Sequence, residues 1–413
     1  MNSKTEACVA GPCATKSLAI PHLISTAHDE SVNARVPLSH TTNGMRRGFS
    51  GTSRSDNTNS IQSFASNKIW LVDFEFNQPD GGIPRPICMV MRNFESGQTK
   101  RVWLWDDSRA ECPVPVGPDV LYVGYLTSAE LSCHLALGWD LPINVLDLYV
   151  EFRWLTCGLG KPAKHGLLDC QHWFGLYGID GVEKIKMRQL AMRGGPYTEE
   201  ERVALLDYCE SDVAALAALL PKMLPLIDLP RALIRGRYMK AVARVERVGI
   251  PIDVPYLDRI KTGWVAIKRR LIAEVDKDYS VYDGTTFKSG RWAAWCESNG
   301  ISWPRLESGA LDLKRETFST MSKTNLKVEA MHELRKSLSE LRLNALTVGQ
   351  DGRNRYMAGV VGTKTGRNAP SSQKSVFGPA QWIRYLIKPS EGMAIAYIDW
   401  SQQELGIAAK LSG

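Results

Sequence analysis

Ile69-Trp70-Leu71-Val72-Asp73-Phe74-Glu75-Phe76 is the stretch from which the fold is read. Its aliphatic and aromatic residues predict a β-strand, and the turn cluster Gln78-Pro79-Asp80-Gly81-Gly82 that follows predicts a hairpin. Side chains alternate along a strand, so Asp73 and Glu75 share one face and can share one divalent cation. Surface strands often carry such pairs. Here Leu71, Val72, Phe74 and Phe76 place the strand inside a domain, where two carboxylates repel each other unless a cation or protons intervene.

Working outward, Cys88 to Met91 and Arg101 to Trp105 read as antiparallel partners of this strand, and Asp119 to Tyr125 as a further strand. Leu131, Leu135 and Leu137 predict a helix closing at Gly138. A long helix is expected over Glu199 to Leu220, with Thr198 as N-cap and Glu201 completing a capping box. Strands and helices in this order make residues 67–228 an α/β domain. Residues 1–66 are rich in Ser, Thr, Asn, Gly and Ala without a sustained period, and read as an unstructured arm. Pro21 and His22 interrupt its apolar patch from Ser17 to Ile24, and Glu6, Asp29 and Glu30 count against an Arg-rich transit peptide, so no targeting segment is expected. Beyond Pro230 the chain turns mainly helical and basic. Met331, Leu334, Leu338, Leu341 and Ala345 form a seam of alternating three- and four-residue steps, whose ordinary meaning is core packing between helices.

Composition narrows the function. A chain of 413 residues suggests two or three domains, and its 44% hydrophobic and 23% charged content excludes wholesale disorder, collagen and coiled-coil rods. The longest apolar candidate, Ala214 to Leu229, is broken by Pro221, Lys222, Pro225 and Asp228, so no membrane span is expected. The nine cysteines show no Cys-x-x-Cys and no paired His spacing, and read as thiols of a reducing cytoplasm. Of the net charge of +7, a surplus of six falls between Arg231 and Gly300, where 14 Lys and Arg face 8 Asp and Glu. That block, with Lys268-Arg269-Arg270 at its densest, fits either a polyanion partner or a solvated helix surface.

In Tyr208-Cys209-Glu210-Ser211-Asp212 the four-residue spacing puts the phenol and the second carboxylate on one helical face. Together with Asp73 and Glu75 this resembles the DEDD exonucleases that carry tyrosine in the third motif. The resemblance implies a middle motif with a further acid. Glu130 and Asp147 are separated by the 17 residues of that pattern; Glu130 is assigned as the fourth acid in place of the usual Asp, with Tyr125 or Thr127 where the family carries Asn, and Asp147 is the competing candidate.

The resemblance continues downstream. Arg244 to Asp253 is similar to the segment entering the thumb of family A DNA polymerases, and Thr365-Gly366-Arg367 to their Thr-Gly-Arg segment, whose Arg contacts the primer side of the duplex. Asp399-Trp400-Ser401-Gln402-Gln403-Glu404-Leu405 resembles palm motif A, with Gly406 where Arg is usual. The chain thus resembles a DNA polymerase I-like, phage-type family A enzyme. The implied organisation is a ribonuclease H-like mixed-sheet exonuclease domain, a thumb-like helical region over residues 229–350, and the start of a palm over 351–413. From the residues themselves, Gly392 to Trp400 predicts a strand and Ser401-x-x-Glu404 a capping box opening a helix; by resemblance, Asp399 binds metal and Glu404 excludes the ribose 2′-hydroxyl.

This resemblance implies 3′–5′ hydrolysis by two Mg²⁺ ions, with Mn²⁺ as a substitute. Asp73, Glu75 and Asp212 hold one ion, Asp73 and Glu130 the other, and Tyr208 orients the attacking water. The implied partners are primer-template DNA and a frayed single-stranded 3′ end, with Leu126, Phe74, Phe76 and Tyr208 as candidates for wedging and stacking its bases. Lys268, Arg269, Arg270 and Arg367 are the expected phosphate contacts. The sequence stops at Gly413, without a fingers helix or the later palm Asp, so deoxynucleotides are expected as substrates only where those parts are supplied. The alternatives are an RNA-trimming nuclease of the same superfamily and an inactive nucleic-acid-binding module.

Overall fold

Residues 68–106, 111–160, 162–177, 181–340, 346–378 and 381–412 are described by the computed structural model. The arm expected over residues 1–66, and Leu341 and Ala345 of the helical seam, lie outside them. The opening strand, β1 (Ile69–Asn77), is the middle of a five-stranded sheet in the order β3 (Thr99–Trp103), β2 (Arg85–Asn93), β1, β4 (Leu121–Gly124), β5 (Asn144–Asp147). β2 pairs antiparallel with both β1 and β3, as the hairpin reading requires. β4 runs parallel to β1 and β5 parallel to β4, so the sheet is mixed, as the family resemblance implies. β5 runs parallel to β4 because α1 (Ser128–Leu137) lies between them and returns the chain to the same end of the sheet. Gly138 closes α1 in the left-handed conformation, at φ 73°.

The period of two along β1 sends its side chains to two cores. Ile69 and Leu71 join Val90, Val123 and the buried face of α5 (Glu199–Met223), including Leu205, Cys209, Val213 and Leu216. Val72 and Phe74 join Met89, Met91, Tyr122, Cys133 and Trp139 on the other face. Phe74 is therefore spent in the core, edge-on to His134, and is not available to stack on a base. The predicted capping box of α5 forms: the Thr198 hydroxyl accepts from Glu201 N at 3.3 Å, and Glu201 Oε2 accepts from Thr198 N at 3.0 Å.

α6 (Leu229–Val248) starts the helical half, yet it packs on the sheet, burying Met239, Val242 and Ala243 against Leu131, Val145 and Val150. Two features set this contact. Gly236 lies so close to β5 that a Cβ there would sit 1.9 Å from the Val145 carbonyl oxygen. Arg235 forms two 2.6 Å bonds to the buried carboxylate of Glu151, on α2 (Leu148–Leu155). Farther on, α7 (Val254–Asp276) carries the basic run, with Arg269 and Arg270 exposed and Lys268 lying over the Trp264 ring. An aromatic core of Trp292, Trp303 and Phe318 takes in Met331 and Leu334, with Leu338 packed against it, so the described part of the seam is core packing as read.

The expected strand from Gly392 to Trp400 does not form. No described strand lies beside it to exchange backbone hydrogen bonds, and the segment is exposed along its length. The final helix, α8 (Gln403–Ser412), begins two residues after the expected Ser401, and Glu404 in its first turn pairs with Arg367 Nη2 at 2.7 Å.

Candidate metal centre

Three elements bring carboxylates to one end of the sheet. β1 supplies Asp73 and Glu75 from one face, and α5, packed on that face, supplies Asp212. Carboxylate oxygens of these three residues lie within 4.8 Å of one another, the one such acidic cluster among the described residues. Glu130 arrives from the opposite side, in the first turn of α1. It stays outside the 4.8 Å group, but it is buried, its Oε2 has no hydrogen-bond partner, and the charge of Asp73 acts on it. Gly124, at the end of β4, lies beside it: a Cβ there would crowd Thr127 Cγ2 at 3.0 Å and touch Glu130 Cδ at an ordinary 3.8 Å.

The electrostatics are those of a cluster short of positive charge. Burial, followed by the negative charge of Asp212, pushes Asp73 up to about 8 from the ordinary 3.8. Burial and the neighbouring Asp73 hold Glu75 well above the usual carboxylate range. Burial raises Asp212 too, against the opposing pull of Lys184 and a hydrogen bond from the Tyr208 hydroxyl. Glu130 is raised by burial and then by Asp73. Four acids in this condition either keep protons or take up cations. The hard oxygen donors, their mutual spacing and the orphaned Glu130 oxygen all fit a divalent ion such as Mg²⁺.

Asp147, the competing fourth acid, is committed elsewhere. Its Oδ1 accepts from Leu126 N (3.1 Å), Tyr149 N (2.9 Å) and Val150 N (3.2 Å), and its Oδ2 from Thr127 N and Thr127 Oγ1, both at 2.8 Å. It caps α2 and pins the β4–α1 turn, where Leu126 has a φ of 66°, a left-handed conformation that a bulky residue rarely adopts. The 17-residue spacing between Glu130 and Asp147 thus joins a carboxylate beside the cluster to the residue that fixes the turn leading into it.

Two neighbours of the cluster have no signature in the sequence. Cys209 Sγ lies 3.2 Å from Asp73 Oδ2 and 3.3 Å from Asp73 O, so the thiol can donate to the carboxylate, and burial keeps it a thiol. Lys184, on α4 (Gly181–Arg193), the helix after the short α3 (Leu167–Trp173), places Nζ 3.4 Å from Asp212 Oδ2. Lys184 belongs to no motif, and Cys209 stands at an unassigned position inside the Tyr208–Asp212 segment; only the close approach of α4 and β1 to α5 reveals their contacts. Tyr208 is buried, and burial together with Asp212 raises its phenol far above the ordinary range, so it stays protonated. Of the other expected site residues, Asp399 is exposed and in no acidic cluster, while Arg367 and Glu404 form the exposed pair described above.

No protein-family model matches the sequence, and no curated protein does. Among solved structures the chain is similar to the POL domain of Pol1 from M. smegmatis in complex with DNA primer-template and dNTP, at 12% identity and a TM-score of 0.48. That likeness covers 83% of this chain and 59% of the other, so this chain spans less than two thirds of the structure it resembles.

Proposed function

We infer that residues 67–228 form a ribonuclease H-like 3′–5′ exonuclease domain that removes nucleoside monophosphates from a single-stranded DNA end. The observation that carries this reading is the Asp73–Glu75–Asp212 cluster, with the unpartnered Glu130 oxygen beside it. The strand order β3-β2-β1-β4-β5 with β2 alone reversed supports the fold assignment.

Asp73, Glu75 and Asp212 would hold one Mg²⁺, and Asp73 with Glu130 a second. Bound there, such a pair supplies an acidified water and charge stabilisation for the leaving 3′ oxygen. The chain supplies the rest. The Tyr208 hydroxyl, held protonated and bonded to Asp212, orients the attacking water without acting as its base. The Leu126 turn, clamped by Asp147, sets the position of α1 and hence of Glu130. The basic run Lys268-Arg269-Arg270 of α7 serves as phosphate-binding surface for the duplex. We assign residues 229–350 to a thumb-like region and 351–413 to the beginning of a polymerase palm on the strength of Thr365-Gly366-Arg367 and Asp399 to Leu405. Nucleotide incorporation by this chain alone is not expected, since exposed Asp399 belongs to no cluster of three or more acids among the described residues.

The test is digestion of 5′-labelled single-stranded DNA in Mg²⁺ by the full chain and by Asp73→Ala. Stepwise shortening from the 3′ end, abolished in the variant, is the expected result. Undiminished activity in Asp73→Ala would sink the assignment. Preferential shortening of RNA would favour an RNA-trimming nuclease, and no activity in the wild type with either substrate would leave a nucleic-acid-binding module.

A further inference from the structure

The four carboxylates pose a problem of charge that one residue answers. Lys184 Nζ lies 3.4 Å from Asp212 Oδ2 and 5.8 Å from the centre of the Tyr208 ring. Among the described residues it is the lone cation paired with any of the four carboxylates. Its influence reaches beyond its partner: the ammonium lowers the proton affinity of Asp73 and Glu75 as well as that of Asp212. The side chain remains 33% exposed, so its charged end has solvent to move into. A lysine, with four flexible methylenes and rotatable donors, is suited to a contact that must be made and released.

We propose that Lys184 is the resident counter-cation of the metal centre: it holds Asp212 while no divalent ion is bound, and gives up that carboxylate when one arrives. This rests on the reading of the cluster as a metal site. Asp212 then has two partners in competition. A monovalent ammonium on a tether keeps the cluster together at low metal concentration, and a divalent ion bound by three carboxylates at once outcompetes it. Lys184 is on this account a positioning residue with a cost, since it opposes metal binding both by occupying Asp212 and by adding positive charge nearby. A lysine that merely braced Asp212 in its binding conformation would do the reverse, and its removal would weaken metal binding.

The experiment is a Mn²⁺ titration of the metal-free full chain at about pH 8.5, where proton competition at the carboxylates is smallest. Wild type, Lys184→Met, Lys184→Gln, Lys184→Arg and Asp73→Ala are compared, with circular dichroism to verify the fold of each. Lys184→Met and Lys184→Gln should bind Mn²⁺ about three- to tenfold more tightly, the order expected for removing one partly screened unit charge from beside a divalent ion. Lys184→Arg should stay close to wild type. In chelator, both neutral variants should melt below wild type, and saturating Mg²⁺ should abolish that deficit. Equal or weaker Mn²⁺ binding by the two folded neutral variants overturns the proposal. A wild type whose Mn²⁺ binding is absent, or indifferent to Asp73→Ala, overturns the metal centre itself, which is a separate and recognisable failure.

Discussion

Asp73 and Asp399 are both acids set in apolar runs, and their surroundings differ in every respect that matters to a cation. Asp73 lies on the central strand of a five-stranded sheet, with β2 on one side, β4 on the other, and α5 pressing Cys209 and Asp212 against it. Its carboxylate is held by the framework, and burial makes a lack of positive charge costly. Asp399 lies in an exposed segment with no described strand beside it, and its nearest candidate partner in the motif, Glu404, is turned to Arg367. In water a lone carboxylate binds divalent ions feebly, because hydration competes on equal terms. The contrast teaches that an acid in an apolar run becomes a site through its backbone neighbours, which fix it and exclude solvent, more than through its own motif.

The sharpest way to break this comparison is to exchange the expected effects. Asp212→Ala should reduce exonuclease turnover on the order of a hundredfold or more, by removing a metal ligand. Asp399→Ala should leave turnover and melting unchanged in the same assay. Tyr208→Phe should fall between them, with a loss of about tenfold, as for a group that orients without ligating. Equal losses for Asp212→Ala and Tyr208→Phe would mean that the tyrosine holds the helix face together and does not orient water.

Next in size is the frame around the cluster. Asp147→Ala strips a carboxylate that five donors share, and should lower stability by about 3 kcal/mol in denaturant unfolding through loss of the α2 cap and the β4–α1 turn. If stability held and only Mn²⁺ affinity fell, Asp147 would be a metal ligand after all.

A third effect is graded with pH. Because Asp73 is raised from 3.8 to about 8, the native protein without metal retains a proton that the unfolded chain releases. Its stability therefore falls as pH rises across that window. Mg²⁺ binds the charged carboxylates and removes the penalty, so the rise in melting temperature that it produces should be larger at about pH 8.5 than at about pH 5.5. A Mg²⁺ effect independent of pH would count against the cluster as the binding site. The smallest effect belongs to the exposed pair: Arg367→Ala should shift the melting temperature by no more than about one degree.

Much of this was legible in the sequence where the signal is local. The β1 run, the Gly138 stop and the Thr198–Glu201 box all act within a few residues, and each forms within two residues of its expected place. Asp73, Glu75 and Asp212 could be named because strand and helix periods fix which side chains share a face. What could not be read depends on contacts through space. Nothing near Lys184 in the chain marks it, Cys209 stands at an unassigned position of the Tyr208–Asp212 segment, and the parallel pairing of β5 with β4 depends on how α1 returns. The choice between Glu130 and Asp147 turned on which carboxylate the backbone amides of a turn had already claimed. Gly392 to Trp400 failed for the complementary reason: its composition suits a strand, but a strand requires a neighbour.

Gly236 has a consequence for how this protein tolerates change. It bears no charge, ligates nothing and touches no substrate, yet any Cβ at that position would run into the Val145 carbonyl and push α6 off β5. Every residue type other than glycine meets the same obstacle, so conservative and radical substitutions are equally barred. In a map of mutational fitness position 236 would be as blank as any ligand of the proposed metal centre, and it would be mistaken for one by anyone reading tolerance alone.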